Sequence, residues 1–267
     1  QRLSIVYALE TRSGSRVFQA SSAARTFCVA VSRVNGGNGG RCSDSGLMVA
    51  SGRLGCSHDV FAEPIMPKVY DHAYFEKWYR HPRHAVGSKN ELRRKVALAV
   101  AVAEYYLGRP IESVLDVGCG EAPWRAPLRA LRPRVEYRGL DASEYVVARY
   151  GRSRNIGLAR FGDLATLRLD RRFDLIVCSD VLHYLEPAEI RAGLAGIADM
   201  LEGVAFLELF TSKDDVAGDR KGYIARAPSW YLRTFETAGL MPAGSHCYLG
   251  FRLSRGIAAL ERARMPP

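Results

Sequence analysis

The chain has 267 residues, a length that suits one principal domain with an appendage and is short for two full-sized domains. With 48% apolar and 25% charged residues it has the composition of a soluble protein. No stretch approaches the roughly 18 consecutive apolar residues that cross a bilayer, so we expect no membrane contact. No secretory-type apolar run follows Gln1, which predicts a cytoplasmic location.

The formal net charge of +10 raises the question of a nucleic-acid partner, because clustered arginine and lysine neutralise phosphate. The basic residues are mostly scattered, and the densest run is Arg93–Lys95. This distribution favours a generally basic surface and makes nucleic acid the less favoured partner.

The six cysteines are spaced too widely for a zinc knuckle or a cysteine cluster, so the sequence predicts no metal site. Two of them lie in apolar, strand-like segments. This placement favours reduced, buried thiols over a disulfide framework.

Two regions of different composition divide the chain. Residues 1–65 are rich in Ser and Gly, with a glycine-rich run at Asn35–Gly40 and no sustained helical or strand period. We expect a poorly structured extension there, and a folded domain over residues 66–267.

Helical patterns precede the first strand of that domain. Aromatic residues recur at near-helical spacing from Tyr70 to Arg80, and an amphipathic pattern runs from Glu91 to Tyr106, before Gly108. The sequence therefore predicts two helices here.

From Ser113 onward, apolar strands alternate with helices. The predicted buried strands are Ser113–Val117, Val135–Leu140, Phe173–Cys178 and Val204–Phe210. The predicted helices between and after them are Ala126–Leu131, Ser143–Tyr150, Pro187–Leu201 and Pro228–Ala238. The pattern also allows a strand at His246–Tyr248 and a helix over Arg255–Met265. Such alternation predicts an open, doubly wound and mostly parallel α/β sheet with helices on both faces.

The sharpest motif is Val114–Glu121, a strand that runs into a glycine turn and then a helix. In an open α/β sheet, ligands lie beyond the carboxyl ends of the strands, where glycines such as Gly118 and Gly120 let the backbone approach closely. A ribose-binding acid is expected about 20 residues further on, at the end of the next strand. Asp141 stands there.

These features suit either a nicotinamide dinucleotide or S-adenosylmethionine, since both carry an adenosine ribose. A dinucleotide fingerprint requires a third small residue, but Pro123 and then Trp124 stand at that place. Asp116 and Glu121 would also repel a pyrophosphate, whereas a sulfonium and an ammonium would be attracted. The residues therefore favour S-adenosylmethionine over a nicotinamide dinucleotide, and so disfavour a nicotinamide-dependent oxidoreductase.

Four segments in order resemble the motifs of class I S-adenosylmethionine-dependent methyltransferases. They are VLDVGCGE at Val114–Glu121, GLDAS at Gly139–Ser143, FGDL at Phe161–Leu164 and FDLIVCSDVLHYLE at Phe173–Glu186. The resemblance runs from about Tyr70 to Phe210 and does not include residues 1–65. It implies a Rossmann-like fold with an N-terminal helical lid, which the aromatic segment at Tyr70–Arg80 would supply unless its rings pack in the core.

The resemblance also implies a set of cofactor-binding residues. They are Asp116, Gly118, Gly120, Asp141, Asp163, Leu164 and Ser179. The two glycines would lie against the amino-acid end of the cofactor, and Asp141 would take the ribose hydroxyls. Asp163 and Leu164 would bind adenine, and Ser179 would line the methionyl side. Asp116 could instead cap the turn, and Asp163 could be an Asx-turn residue.

Methyl transfer needs an aligned acceptor and donor more than a fixed catalytic residue. His183 follows the fourth strand and is our candidate base for a hydroxyl acceptor, with packing on the next helix as the alternative. Tyr184 and Glu208 are weaker candidates.

The predicted function is methyl transfer to a small-molecule acceptor. Enzymes that methylate exocyclic base amines carry Asn or Asp, two prolines and an aromatic residue after the fourth strand, whereas this chain reads Ser179–Leu182, SDVL. An rRNA or tRNA methyltransferase and a non-catalytic cofactor-binding protein remain as alternatives. The pattern defines neither the methylated atom nor the oligomeric state.

Overall fold

The computed structural model describes residues 68–81, 88–167, 169–216 and 218–257. Their centre is a seven-stranded sheet with strand order β3-β2-β1-β4-β5-β7-β6. The strands are β1 (Ser113–Val117), β2 (Glu136–Asp141), β3 (Ile156–Leu158), β4 (Phe173–Ser179), β5 (Leu201–Glu208), β6 (Met241–Gly244) and β7 (Cys247–Leu249). The first five are parallel, and β7 pairs antiparallel with both β5 and β6.

Seven α-helices surround the sheet in the described residues. They are α1 (His72–Phe75), α2 (Lys89–Leu107), α3 (Arg125–Leu131), α4 (Glu144–Arg154), α5 (Pro187–Met200), α6 (Pro228–Thr237) and α7 (Phe251–Ser254). A π-helical turn, Glu76–Arg80, continues α1, and 3-10 turns lie at Phe161–Ala165 and Leu182–Tyr184. None of the described helices has the length and apolar character needed to traverse a bilayer.

Local sequence explains where the main helices begin and end. The Ser88 hydroxyl accepts from the Glu91 N–H at the start of α2, and the helix stops at Gly108, whose φ is +68°. Ser143 caps α4 in the same way, through the Val146 N–H.

Both faces of the central strands are buried. Neighbouring residues of β1 point to opposite faces, so that Val114 joins the core beside α2 and Leu115 joins the core beside α5. Leu175 and Ile176 of β4 divide in the same manner. This double burial explains why these strands carry consecutive apolar residues instead of alternating apolar and polar ones.

The doubly wound fold predicted from the sequence is confirmed. β1 has the predicted bounds, and α2, α3, α5 and α6 lie within two residues of theirs. The allowed strand at His246–Tyr248 exists as β7. The short edge strand β3 was absent from the strand pattern.

The helix allowed over Arg255–Met265 is not present where it can be checked, because 255–257 form a turn after α7 and 258–265 lie outside the described residues. The predicted extension, residues 1–65, also lies outside them.

Candidate functional site

The glycine loop after β1 lies at the carboxyl edge of the sheet. The N–H groups of Gly118 and Cys119 donate to the Leu140 carbonyl at 2.8 and 3.1 Å, which ties the loop to the end of β2. Gly118 and Gly120 have φ values of +68° and +51°, a region that side chains other than glycine avoid. A Cβ at Gly118 would lie 2.3 Å from Cγ2 of Val181, so the loop also touches the segment that follows β4.

Asp141, the last residue of β2, joins this loop to α4. Its Oδ2 accepts from the Gly120 N–H at 2.7 Å, and its Oδ1 accepts from the Ser143 N–H at 2.8 Å. Burial raises the pKa of Asp141, although both backbone bonds favour the ionised form. The carboxylate retains lone pairs for a further donor, such as a ribose hydroxyl.

Asp116 lies inside β1 and is only 2% exposed. Its Oδ2 accepts from the Tyr137 hydroxyl at 2.6 Å. Burial raises the pKa of Asp116 to about 7, and the neighbouring Asp141 adds to this. Among the residues described, Asp116 makes no ion pair. A cation placed beside the loop would therefore stabilise its ionised form.

Ser179 ends β4 and belongs to a polar cluster with the end of β5. Its hydroxyl donates to Oε2 of Glu208 at 2.7 Å, and Lys95 of α2 lies 2.8 Å from Oε1 of the same carboxylate. Asp180 follows with a φ of +60°. Burial raises the pKa of Asp180 to about 6, with Glu208 as the next cause.

Asp163 and Leu164 lie in the 3-10 turn after β3. The Asp163 side chain accepts from the Arg160 N–H at 2.8 Å, which is the bond expected of a turn residue. The Leu164 side chain is 1% exposed and packs beneath α5, where Gly193 and Gly196 allow close approach. Any contact of this segment with adenine must therefore come from its outer surface.

His183 is buried in the turn after β4. Its Nδ1 accepts from the Phe210 N–H at 3.3 Å, so we infer that the neutral ring carries its proton on Nε2. Burial lowers the pKa of His183 to about 4, and the charge on Lys68 contributes. His183 could accept a proton on Nδ1 only after the bond from Phe210 is lost, which constrains the general-base role.

The aromatic segment before α2 covers the glycine loop. Phe75 is 2% exposed and belongs to the core, while the Tyr79 hydroxyl would lie 2.7 Å from a Cβ at Gly120. Tyr79 is 44% exposed overall, yet its hydroxyl end is enclosed, and burial raises its pKa. Arg80 forms an ion pair with Glu121 of the loop. The predicted lid is thus partly core packing and partly a cover.

An open cavity of about 360 Å³ lies beside this segment. Its polar and aromatic lining is Lys68, Asp71, Tyr74, Lys77, Trp78, Asp219 and Lys221. Tyr184, which follows His183 in the turn after β4, donates its hydroxyl proton to the Asp219 carbonyl at 2.6 Å. The cavity is thereby connected to the carboxyl edge of the sheet.

The structure brings most of the predicted site residues to this one edge. A hydrogen bond joins Gly120 to Asp141, and the glycine loop contacts Val181, two residues after Ser179. Sequence reasoning missed Tyr137 and Lys95, since each reaches the site from a different element. Tyr79 belongs to the segment that the sequence predicted as a lid. Asp163 and Leu164 lie further along, beyond β3.

The family model described as "Methyltransferase domain" matches residues 115–203, from β1 into β5. Among curated proteins, none matches the sequence significantly. Several solved structures are similar in fold.

DesVI from Streptomyces venezuelae is 19% identical, with 60% of this chain and 91% of that chain covered and a TM-score of 0.46. An S-adenosylmethionine-dependent methyltransferase from Clostridium acetobutylicum ATCC 824 is 15% identical, with 64% and 87% covered and a TM-score of 0.47. CalS10 from Micromonospora echinaspora, an amino pentose methyltransferase with bound S-adenosylmethionine, is 20% identical, with 67% and 92% covered and a TM-score of 0.47.

Proposed function

We propose that this chain, which carries a class I S-adenosylmethionine-dependent methyltransferase domain, transfers the methyl group of S-adenosylmethionine to a small-molecule acceptor. The observation that carries the proposal is the bond between the Gly120 N–H and Asp141. It places a glycine loop and a carboxylate side by side at the carboxyl edge of a parallel sheet, where such folds bind adenosine.

The residues of the loop fit this cofactor better than a dinucleotide. Four residues separate Gly120 from the start of α3, and Trp124 is buried against Phe206, with ring centroids 5.1 Å apart. The helix N-terminus therefore does not follow the second glycine directly, as a pyrophosphate site requires. The carboxyl groups of Asp116 and Asp180, whose pKa values are raised, would instead favour a cationic ligand.

When bound, S-adenosylmethionine supplies an electrophilic methyl group on a sulfonium. The chain's own part is to bind and orient. Asp141 would hold the ribose, Gly118 and Gly120 would admit the amino-acid end, and Ser179, fixed by Glu208, would line the methionyl side. Asp163 and Leu164 would flank adenine, and His183 would be the base for a hydroxyl acceptor. Most of the acceleration would then come from alignment and from exclusion of water.

The experiment is calorimetric titration of the full chain with S-adenosylhomocysteine and, separately, with NAD. We expect micromolar affinity for S-adenosylhomocysteine and none for NAD. Asp141→Asn should weaken the former roughly 10- to 100-fold, as expected for hydrogen bonds to a charged group. Asn is preferred to Ala because one oxygen remains to accept from the Gly120 or Ser143 N–H.

Glu236→Gln on the exposed face of α6 is the matched control and should bind like the wild type. Thermal unfolding of each variant separates a loss of affinity from a loss of fold. Binding of NAD with no binding of S-adenosylhomocysteine would overturn the proposal. Turnover with small-molecule acceptors then distinguishes an enzyme from a protein that only binds the cofactor.

A further inference from the structure

Three tyrosine rings surround the ammonium group of Lys68. Nζ lies 3.5 Å from the centroid of Tyr184 and 5.2 and 5.3 Å from those of Tyr70 and Tyr74. We call these three residues the tyrosine cage. Oδ2 of Asp219 is 2.8 Å from the same nitrogen, and the Lys68 side chain is only 12% exposed. Aromatic faces combined with a carboxylate form an environment that suits an alkylammonium group.

The tyrosine cage is connected to the cofactor-binding edge from two sides. The Tyr70 carbonyl accepts from the Ser143 hydroxyl at 2.5 Å, and the Ser143 N–H donates to Asp141. Tyr184 belongs to the turn that follows β4, and its hydroxyl donates to the carbonyl of Asp219. Hydrogen bonds and chain connectivity therefore join the tyrosine cage both to the neighbour of Asp141 and to the segment after β4.

We propose that the tyrosine cage and Asp219 form the acceptor subsite, that the acceptor is an alkyl amine, and that the Lys68 side chain fills this subsite in the acceptor-free protein. The inference rests on the proposed function and adds the chemical class of the acceptor to it. An alcohol or a carboxylic acid would gain little from three ring faces and a carboxylate, whereas an amine gains from each.

The same surroundings help the amine to react. Burial lowers the pKa of Lys68 from its ordinary value, and nearby Lys221 adds to this effect, while Asp219 opposes it. An acceptor amine held there would lose a proton to water more readily than in bulk solvent. Its nitrogen lone pair would then form the N–C bond as the C–S bond breaks. The bonding pair stays on sulfur, which leaves neutral S-adenosylhomocysteine and a methylammonium product.

The test compares the full-length wild type with Lys68→Ala, using S-adenosylmethionine and n-butylamine, which reproduces the lysine side chain. The readouts are S-adenosylhomocysteine formation and N-methylbutylamine by mass spectrometry. We expect Lys68→Ala to methylate butylamine about tenfold faster than the wild type, because the internal competitor is gone. Asp219→Asn in the same background should reverse most of that gain.

Lys77→Ala is the matched control, since Lys77 lines the same cavity but lies over Trp78, 4.7 Å from its ring centroid. Lys77→Ala should not increase the rate of butylamine methylation. 1-Butanol and butyrate, which match butylamine in length, should not be methylated by any variant. If Lys68→Ala fails to fold, the wild type at saturating butylamine is compared with Asp219→Asn. We then expect Asp219→Asn to methylate butylamine more slowly than the wild type.

Calorimetry with S-adenosylhomocysteine accompanies every variant. Absence of binding by the wild type overturns the proposed function itself. Normal binding without butylamine methylation by Lys68→Ala overturns only the amine subsite, as does equal methylation of 1-butanol. Methylation that is indifferent to Asp219→Asn would remove Asp219 from the subsite and overturn the proposal as stated.

Discussion

Gly118 allows the glycine loop to lie against the segment after β4, and its replacement tests that packing. Gly118→Ala would introduce a Cβ at a φ of +68° and 2.3 Å from Val181. Gly108 has the same φ with open space around it, so Gly108→Ala isolates the backbone strain. We expect Gly108→Ala to cost about 1–2 kcal/mol, and Gly118→Ala to cost about 1–3 kcal/mol more.

Urea unfolding measures both variants, and titration with S-adenosylhomocysteine should show weaker binding for Gly118→Ala alone. Equal destabilisation by the two substitutions would mean that Val181 moves aside without resistance.

His183 predicts a defined pH dependence of stability. Its pKa falls to about 4 in the folded protein from an ordinary 6.5, because burial disfavours the charged ring. A depressed pKa gives stability that is present above pH 6.5 and is lost as the pH falls toward 4. His183→Asn keeps an acceptor for the Phe210 N–H but does not titrate. The wild type should lose on the order of 3 kcal/mol relative to this variant across that window.

Denaturant unfolding at several pH values between these limits measures the difference. A difference that does not change with pH would show that the ring is accessible enough to protonate in the folded state.

The site residues that the sequence could indicate are those inside a contiguous motif. Gly118, Gly120 and Asp141 lie at strand ends with a recognisable spacing, and a hydrogen bond joins Gly120 to Asp141. Tyr137 and Lys95 could not be found in this way, because they act through partners on other strands or helices. The sequence did indicate His183, from its place after the fourth strand, but not its tautomer, because the Phe210 N–H that fixes the tautomer lies beyond the carboxyl end of β5.

At the scale of elements, α5 and the 3-10 turn that carries Asp163 and Leu164 form one packed unit. A Cβ at Gly196 would lie 2.2 Å from the Leu164 carbonyl oxygen. Gly196→Ala must therefore push this turn outward, and we expect a loss of about 2–4 kcal/mol in stability together with weaker cofactor binding.

Ala195→Ser, on the exposed side of α5, is the control and should change neither quantity by much. The measurements are urea unfolding and titration with S-adenosylhomocysteine. Reduced stability with unchanged affinity for S-adenosylhomocysteine would show that this turn does not contribute to adenine binding.

Strand boundaries could be predicted where proline or glycine residues flank the strand. β1 is bracketed by Pro110 and Gly118, and its predicted and observed bounds agree. β5 begins at Leu201 directly after α5, with no intervening loop, so apolar periodicity alone placed it too late. β3 has only three residues with Gly157 at its centre, and it is defined by pairing with β2, which a local pattern does not contain.

At the scale of the whole molecule, the pKa values of aspartates at the amino and carboxyl edges of the sheet are shifted in opposite directions. At the amino edge, Asp174 accepts two hydrogen bonds from Arg109 and others from the Glu112 and Ser113 N–H groups. Burial alone would raise the pKa of Asp174, but these bonds lower it. At the carboxyl edge, burial raises the pKa values of Asp116 and Asp180.

This asymmetry predicts how cofactor preference changes with pH. Asp116 and Asp180, with pKa values of about 7 and about 6, are mostly protonated in acid and ionised in mild base. Only the ionised forms attract a sulfonium, so the affinity of S-adenosylmethionine relative to neutral S-adenosylhomocysteine should rise several-fold between about pH 5.5 and 8. Calorimetry with both ligands measures the ratio.

Asp116→Asn should flatten the increase, and it retains an acceptor for the Tyr137 hydroxyl. A ratio that is constant with pH in the wild type would place the sulfonium away from both carboxyl groups.

The ion pair of Arg80 with Glu121, and the Tyr79 hydroxyl against Gly120, have a consequence for the timing of each catalytic cycle. The cofactor's expected position beside Gly120 is the place that Tyr79 faces, so we expect this segment to move away before S-adenosylmethionine binds and again before S-adenosylhomocysteine leaves. Exchange of S-adenosylhomocysteine for S-adenosylmethionine should then be slower than diffusion allows. Added salt should make this exchange faster because it weakens the ion pair between Arg80 and Glu121. The turnover rate would be set by this opening step, and stopped-flow release of S-adenosylhomocysteine at two ionic strengths would reveal it.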